Sequence, residues 1–192
     1  VVINTLLSLT SSCMSSFAMS KYFRKKFNMI DIQNASLAGG VAVGSSADLV
    51  IGPSISILIG MISGIVSVFG YNSIQPYLYN HFHLHDTCGV HNLHGIPGII
   101  GGLSGAISAA FTSSNLYGDN ISNIFPAMNG TRTTLEQGQY QFMALLTTLL
   151  ISLSGGYITG HIINCKCLKN KKSYFNDDDN WDLEEEEELI NP

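Results

Sequence analysis

Five stretches of this 192-residue chain contain no Lys, Arg, Asp or Glu: residues 1–20, 32–47, 49–80, 87–118 and 137–165. A bilayer's hydrocarbon core is about 30 Å thick, and a helix needs about 20 mostly apolar residues to cross it. Each stretch holds one such helix, although 32–47 is barely long enough. A soluble helical protein would show apolar stripes backed by charged faces. These stretches have no charged face, and only 12% of the whole chain is charged, against about 25% in ordinary soluble domains. The expectation is an all-α, polytopic membrane helix bundle with spans at about 1–20, 30–48, 54–72, 87–111 and 139–163. The second span, "DIQNASLAGGVAVGSSAD", is rich in small residues, which suits a bundle interior where backbones approach closely.

The charges lie at the ends of these spans. Lys21, Arg24, Lys25 and Lys26 follow the first; Lys166, Lys169, Lys171 and Lys172 follow the fifth. Five crossings put both clusters on one side, and basic loops mark the cytoplasmic side. The loop 112–138 then faces outward, and it carries two glycosylation sequons, at Asn120 and Asn129. The chain divides into a membrane domain, 1–165, and a tail, 166–192. Nine of the fourteen acidic residues lie between Asp177 and Glu188. Such a tail is expected to be solvated, largely disordered and open to a cytoplasmic partner. The net charge of −5 therefore describes a tail and implies no nucleic-acid partner. Cys165 and Cys167 stand next to the membrane as palmitoylation targets or free thiols. The four cysteines form neither a disulfide framework nor a zinc pattern. The chain begins at Val1 without Met or a signal-peptide start, which reads as a fragment lacking its N-terminal part.

The chemistry concentrates in "DTCGVHNLHGIPGIIGG", residues 86–102. Ionisable residues inside a membrane are expensive, face the interior and mark pathways. On a regular helix His94, Gly98, Gly101 and Gly105 follow at spacings of 4, 3 and 4 and share one face. His91 lies three residues earlier, and Pro97 invites a bend. Each histidine is either a pathway residue or a buried imidazole bonded to a neighbouring helix. Asp86 reads as a cap of the helix that follows. Asp48 is either a negative charge at the outer mouth or a solvated helix end. Asn34 lies on the inner part of the second span, where it can face a pore. His81, His83 and His85 alternate in "HFHLH". An extended segment would aim all three one way, but no acidic or cysteine cluster completes a metal site. No nucleophile, phosphate loop, redox motif or cofactor motif occurs, so the chain does not read as an enzyme.

"DIQNASLAGGVAVGSSAD" and "HDTCGVHNLHGIPGIIGGLSGAISAA" together resemble the Rh glycoprotein branch of the ammonium transporter (Amt/Mep/Rh) superfamily. "VVINTLLSLTSS" and "YFNDDDNWDL" extend the resemblance over nearly the whole chain. It implies a trimer whose subunits contain two five-helix inverted repeats around a narrow pore, with this chain as the second repeat. General transporter architecture places such a path at the repeat interface. The resemblance further implies a pair of pore histidines, one per repeat, with His94 at the second-repeat position and His91 beside it at a position that varies across the superfamily. The other histidine, an aromatic gate and a recruitment carboxylate would belong to the first repeat. The implied function is a plasma-membrane channel for ammonia or ammonium, passing carbon dioxide as well. The competing reading is a non-conducting Rh subunit with a structural role.

Overall fold

In a computed structural model, residues 1–165 are described, and they fold entirely as helices and turns. The second basic cluster, Cys167 and the acidic tail lie outside the described residues. The chain divides into two compact units, Val1–Leu149 and Leu150–Pro192. Five long helices dominate: α1 (Val2–Arg24), α2 (Met29–Val43), α3 (Gly52–Phe82), α4 (His91–Ala110) and α5 (Thr134–Ile163). Four of them, all but α2, are long and apolar enough to cross a membrane.

The first unit is built on small side chains. Ser8, Ser12, Ser16 and Ser20 repeat every four residues along one buried face of α1, with Ser11 and Ser15 beside them. Serine hydroxyls on a helix in an apolar medium need acceptors: Ser11, Ser15 and Ser16 donate to carbonyls of α1 itself, while Ser8, Ser12 and Ser20 reach across to α2. Ser8 Oγ donates to the Gly39 carbonyl at 2.7 Å and Ser12 Oγ to the Ala35 carbonyl at 2.6 Å, so α1 and α2 run antiparallel. From α3, Ser63 Oγ donates to the Ala38 carbonyl at 2.8 Å. A Cβ on Gly60 would fall on the Ser8 carbonyl, and one on Gly64 would lie 2.6 Å from the Ser12 carbonyl. These contacts keep a constant offset, so α1 and α3 run parallel and nearly backbone to backbone.

Helix α3 runs ten residues past its expected end at 72, to Phe82, and α2 stops short of its own. Helix α2 has 15 residues, about 22 Å of helix at 1.5 Å per residue, and ends at Val43 rather than 48. Residues 44–48 form turns instead. The segment tolerates this because it lies inside the unit: Ala35, Ala38, Ala42 and Val43 are fully buried. Irregular backbone at membrane depth survives where protein rather than lipid surrounds it. Asn28 caps its start, accepting from the Ile30 and Asp31 amides. Asp31 is fully buried, holds a two-pronged bond from Arg24 at 2.6 and 3.0 Å, and accepts from Ser20 Oγ at 3.0 Å. Removing one partner of a buried pair strands the other. Arg24→Ala should therefore lower the thermal unfolding temperature of the detergent-solubilised protein more than the double change Arg24→Ala with Asp31→Asn.

Helix α5 opens on a capping box: the Thr133 amide donates to Glu136 Oε2 at 2.8 Å, and the Glu136 amide to Thr133 Oγ1 at 3.2 Å. Gly138 admits α4 closely, since a Cβ there would lie 2.9 Å from the Ala106 carbonyl. In the second unit, described through residue 165, α5 continues to Ile163 and the Tyr157 and His161 rings meet edge-on at 4.4 Å.

Candidate functional site

Two prolines shape the site. Neither Pro76 nor Pro97 has an amide hydrogen to donate to the carbonyl four residues back. Before each one the helix widens into a π-turn, Gly70–Ile74 in α3 and His91–Gly95 in α4. The Gln75 amide donates to the Gly70 carbonyl and the Ile96 amide to the His91 carbonyl, each five residues back. Such widened turns recur at functional positions in helices.

The two π-turns are joined through Asn92, which is fully buried. Its Nδ2 donates to Gln75 Oε1 at 2.9 Å, and its backbone carbonyl accepts from Ser67 Oγ at 2.9 Å. A Cβ on Gly70 would fall on Asn92 Oδ1, so only glycine lets the amide in. Gln75 Nε2 donates onward to the Asp86 carbonyl at 2.5 Å. The Asp86 carboxylate caps α4, accepting from the Val90 and His91 amides at 2.9 Å each. Gly89, at φ 65°, brings its carbonyl to the Tyr71 hydroxyl at 3.0 Å. A side chain at Gly89 would be strained by its φ and would collide with the Tyr71 ring.

His91 and His94 both emerge exposed from this braced turn. His91 rests over Gly95, where a Cβ would meet its Nδ1 at 3.0 Å. Of the glycine face expected below His94, Gly101 and Gly105 keep a common side. Gly101 and Gly105 pack on the end of α2 and the turn after it, 3.1–3.2 Å from the Ala42 and Ser45 carbonyls for an added Cβ. Gly102 turns to Leu145 of α5, and Gly98 has no described atom within 4 Å of its Cβ position. Gly98, Gly101 and Gly105 all lie in the regular helix Ile96–Ala110, so the 3.6-residue count fails only for His94, inside the π-turn.

Asn34 is half-buried on α2, the helix that lies against the His91–Gly95 turn. Asp48 is exposed and lines a cavity of about 390 Å³ together with Ser45, Phe125, Arg132, Gln137 and Gln141. The Arg132 guanidinium lies 3.7 Å from the Tyr140 ring centroid, a cation–π contact. Asn120 and Asn129 are exposed in the segment between α4 and α5. "HFHLH" is not extended: His81 is helical and stacks on Tyr77 at 4.2 Å, and His83 ends the helix in a left-handed conformation. Among the described residues no group of three or more His, Cys, Asp or Glu is placed to hold a metal.

Asn92, Gln75 and Gly70 were not legible as site residues, because the sequence reading followed titratable groups. The signal that could have found them is the two prolines, each downstream of a polar turn within an apolar helix.

Residues 1–185 match the model of the Ammonium Transporter Family. The chain is 42% identical to Ammonium transporter Rh type C-like 2 of Danio rerio, over 99% of this chain and 40% of that protein. It is 45% identical to Ammonium transporter Rh type C of Homo sapiens, over 84% of this chain and 35% of that protein. Among solved structures it resembles Nitrosomonas europaea Rh50, of the Rhesus protein family of channels, with a TM-score of 0.71 and 33% identity over 94% of this chain and 40% of that one. The chain thus spans about 40% of the length of such relatives. It is an integral membrane chain that belongs to the ammonium transporter family, with Rh-type transporters as its relatives.

Proposed function

We propose that the full-length protein conducts ammonia, drawn from ammonium, across the plasma membrane as an Rh-type homotrimer. In this reading the present chain is the second five-helix repeat and supplies one wall of each pore. The observation that carries it is the conjunction of the family match with His91 and His94 on an open, braced turn. Ammonium is a hydrated cation, and a narrow apolar path penalises a bare charge heavily. The cation therefore leaves its proton at the mouth, and neutral ammonia passes. Neutral imidazoles both donate and accept hydrogen bonds, so they guide a small polar solute without trapping it. His94 occupies the position expected of a second-repeat pore histidine. His91 is held more firmly, by its capped amide and its seat over Gly95, and we assign it an equal part. Asn34 lies toward the same turn, and Asp48 attracts cations at the outer mouth.

The turn between α1 and α2 and the C-terminus then face the cytoplasm, and the α4–α5 segment faces outward. Asn120→Gln and Asn129→Gln should each remove one glycan, read as a stepwise mobility gain on gels of protein made in a glycosylating cell. Unchanged mobility in both would reverse or void this orientation.

The central test is reconstitution of the complete protein in liposomes. An ammonium gradient should alkalinise the lumen far faster than in empty vesicles. A rate no faster than empty vesicles, from correctly folded trimers, would favour a non-conducting structural subunit. This chain alone should pass nothing, since one pore wall is absent.

A further inference from the structure

We infer that Asn92 is a positioning residue, keyed into the bulged turn of α3 so as to orient the turn that carries His91 and His94. The inference rests on the conduction reading above. Three observations point to it. First, Asn92 lies in one π-turn, fully buried against α3 and its π-turn, and bonds to α3 twice: Nδ2 donates to Gln75 at 2.9 Å, and the backbone carbonyl accepts from Ser67 one turn before the bulge. Second, its Oδ1 has no hydrogen-bond partner, and it is the sole such buried side-chain atom among the described residues. An unpaired buried amide oxygen is a standing cost that calls for a reason. An apolar side chain would avoid that cost and still fill the gap opposite Gly70, but would leave Gln75 Oε1 without its donor. Third, the chain of bonds continues from Gln75 to the Asp86 carbonyl, and the Asp86 carboxylate holds the His91 amide. The loop is closed: Asn92 to Gln75, Gln75 to Asp86, and Asp86 back to the residue beside Asn92.

A π-turn interrupts the run of four-residue bonds of the helix around it, and here side-chain bonds to a second helix fix its orientation. Asn92 supplies that brace from within the turn. It sits one residue after His91 and two before His94, on the opposite, buried side. Rotation of the turn about its axis would move both imidazoles and break the Asn92–Gln75 bond together.

The test uses the full-length trimer in liposomes, with Asn92→Ala, Gln75→Ala, the double variant, and His91→Ala with His94→Ala as reference. Ammonium and methylammonium fluxes are both measured, each normalised to folded trimer by gel filtration. We expect each single variant to lower ammonia flux roughly fivefold, the equivalent of one buried hydrogen bond. The double variant should fall little further, because both changes break one link. The ratio of ammonium to methylammonium flux should shift in all three, which a simple loss of folded protein would not produce. An unchanged ratio, or single effects that multiply, would overturn the inference. If Asn92→Ala does not fold, Gln75→Ala carries the test alone through the same ratio. Flux no faster than empty vesicles in the unsubstituted trimer would instead sink the conduction reading, and full flux in the histidine double variant would leave Asn92 nothing to position and overturn this inference while conduction stands. Reduced flux there, with normal Asn92 and Gln75 variants, would sink only this inference.

Discussion

Replacing His91 and His94 together by alanine in the full-length protein is expected to cut electroneutral ammonia flux by about tenfold or more, with trimer assembly intact. Tenfold corresponds to ~1.4 kcal/mol on the barrier, about one hydrogen bond to a solute already stripped of its water. Two imidazoles offer at least that much. They are the titratable side chains of the α4 turn, and both are exposed on this half of the molecule. The turn is held by Asp86, Gln75 and Asn92 rather than by either imidazole. Single variants distribute the effect. A dominant loss in His94→Ala would follow the resemblance; a dominant loss in His91→Ala would follow the bracing of its amide and ring. The measurement is stopped-flow lumenal pH, with membrane current recorded in parallel to catch a switch to charged permeation. Full electroneutral flux in a well-assembled double variant would leave the histidines without a transport role.

The second large effect is structural. Gly60→Ala should cost roughly 4 kcal/mol or more, well above the usual 1–3 kcal/mol of overpacking. The new methyl group meets the Ser8 carbonyl and Ser11 Oγ, and the Ser8 carbon at 2.7 Å. Backbone does not swing aside as a side chain does, so α1 and α3 must separate. That separation would also strain the Ser63 bond to Ala38 and the Ser8 bond to Gly39. Gly40→Ala is the control: its methyl group meets only the end of Leu9, at 3.0 Å. It should cost less than about 1.5 kcal/mol. Thermal unfolding of the two full-length variants in detergent separates them. Equal midpoints would mean that the close α1–α3 approach does not contribute to stability.

These predictions draw on different parts of what could be read in advance. The spans were legible because a bilayer forces a simple rule: a long charge-free stretch becomes a helix that satisfies its own backbone. Asp86 as a cap was legible because its chemistry is local, set within five residues. Ser8 and Ser12 stood in plain view, yet their acceptors on α2, the Gly39 and Ala35 carbonyls, are 31 and 23 residues away. The bounds of α2 failed for a related reason. Its ends are set by the protein around it rather than by membrane thickness.

The amino-acid sequence alone determined that this chain is a bundle of membrane-spanning helices with histidines at the head of a glycine-rich one, since hydrophobicity and side-chain chemistry are carried by each residue wherever it lies. Only the tertiary structure decided which way those histidines face. A helix read at 3.6 residues per turn put His94 in line with Gly101 and Gly105. The π-turn before Pro97, pinned by Asn92 to a second π-turn before Pro76, takes His94 out of that register: Gly101 and Gly105 pack on α2 and the turn after it, and both imidazoles are exposed. That phase depends on a contact between residues 17 apart in the chain, and periodicity within a single helix does not contain it.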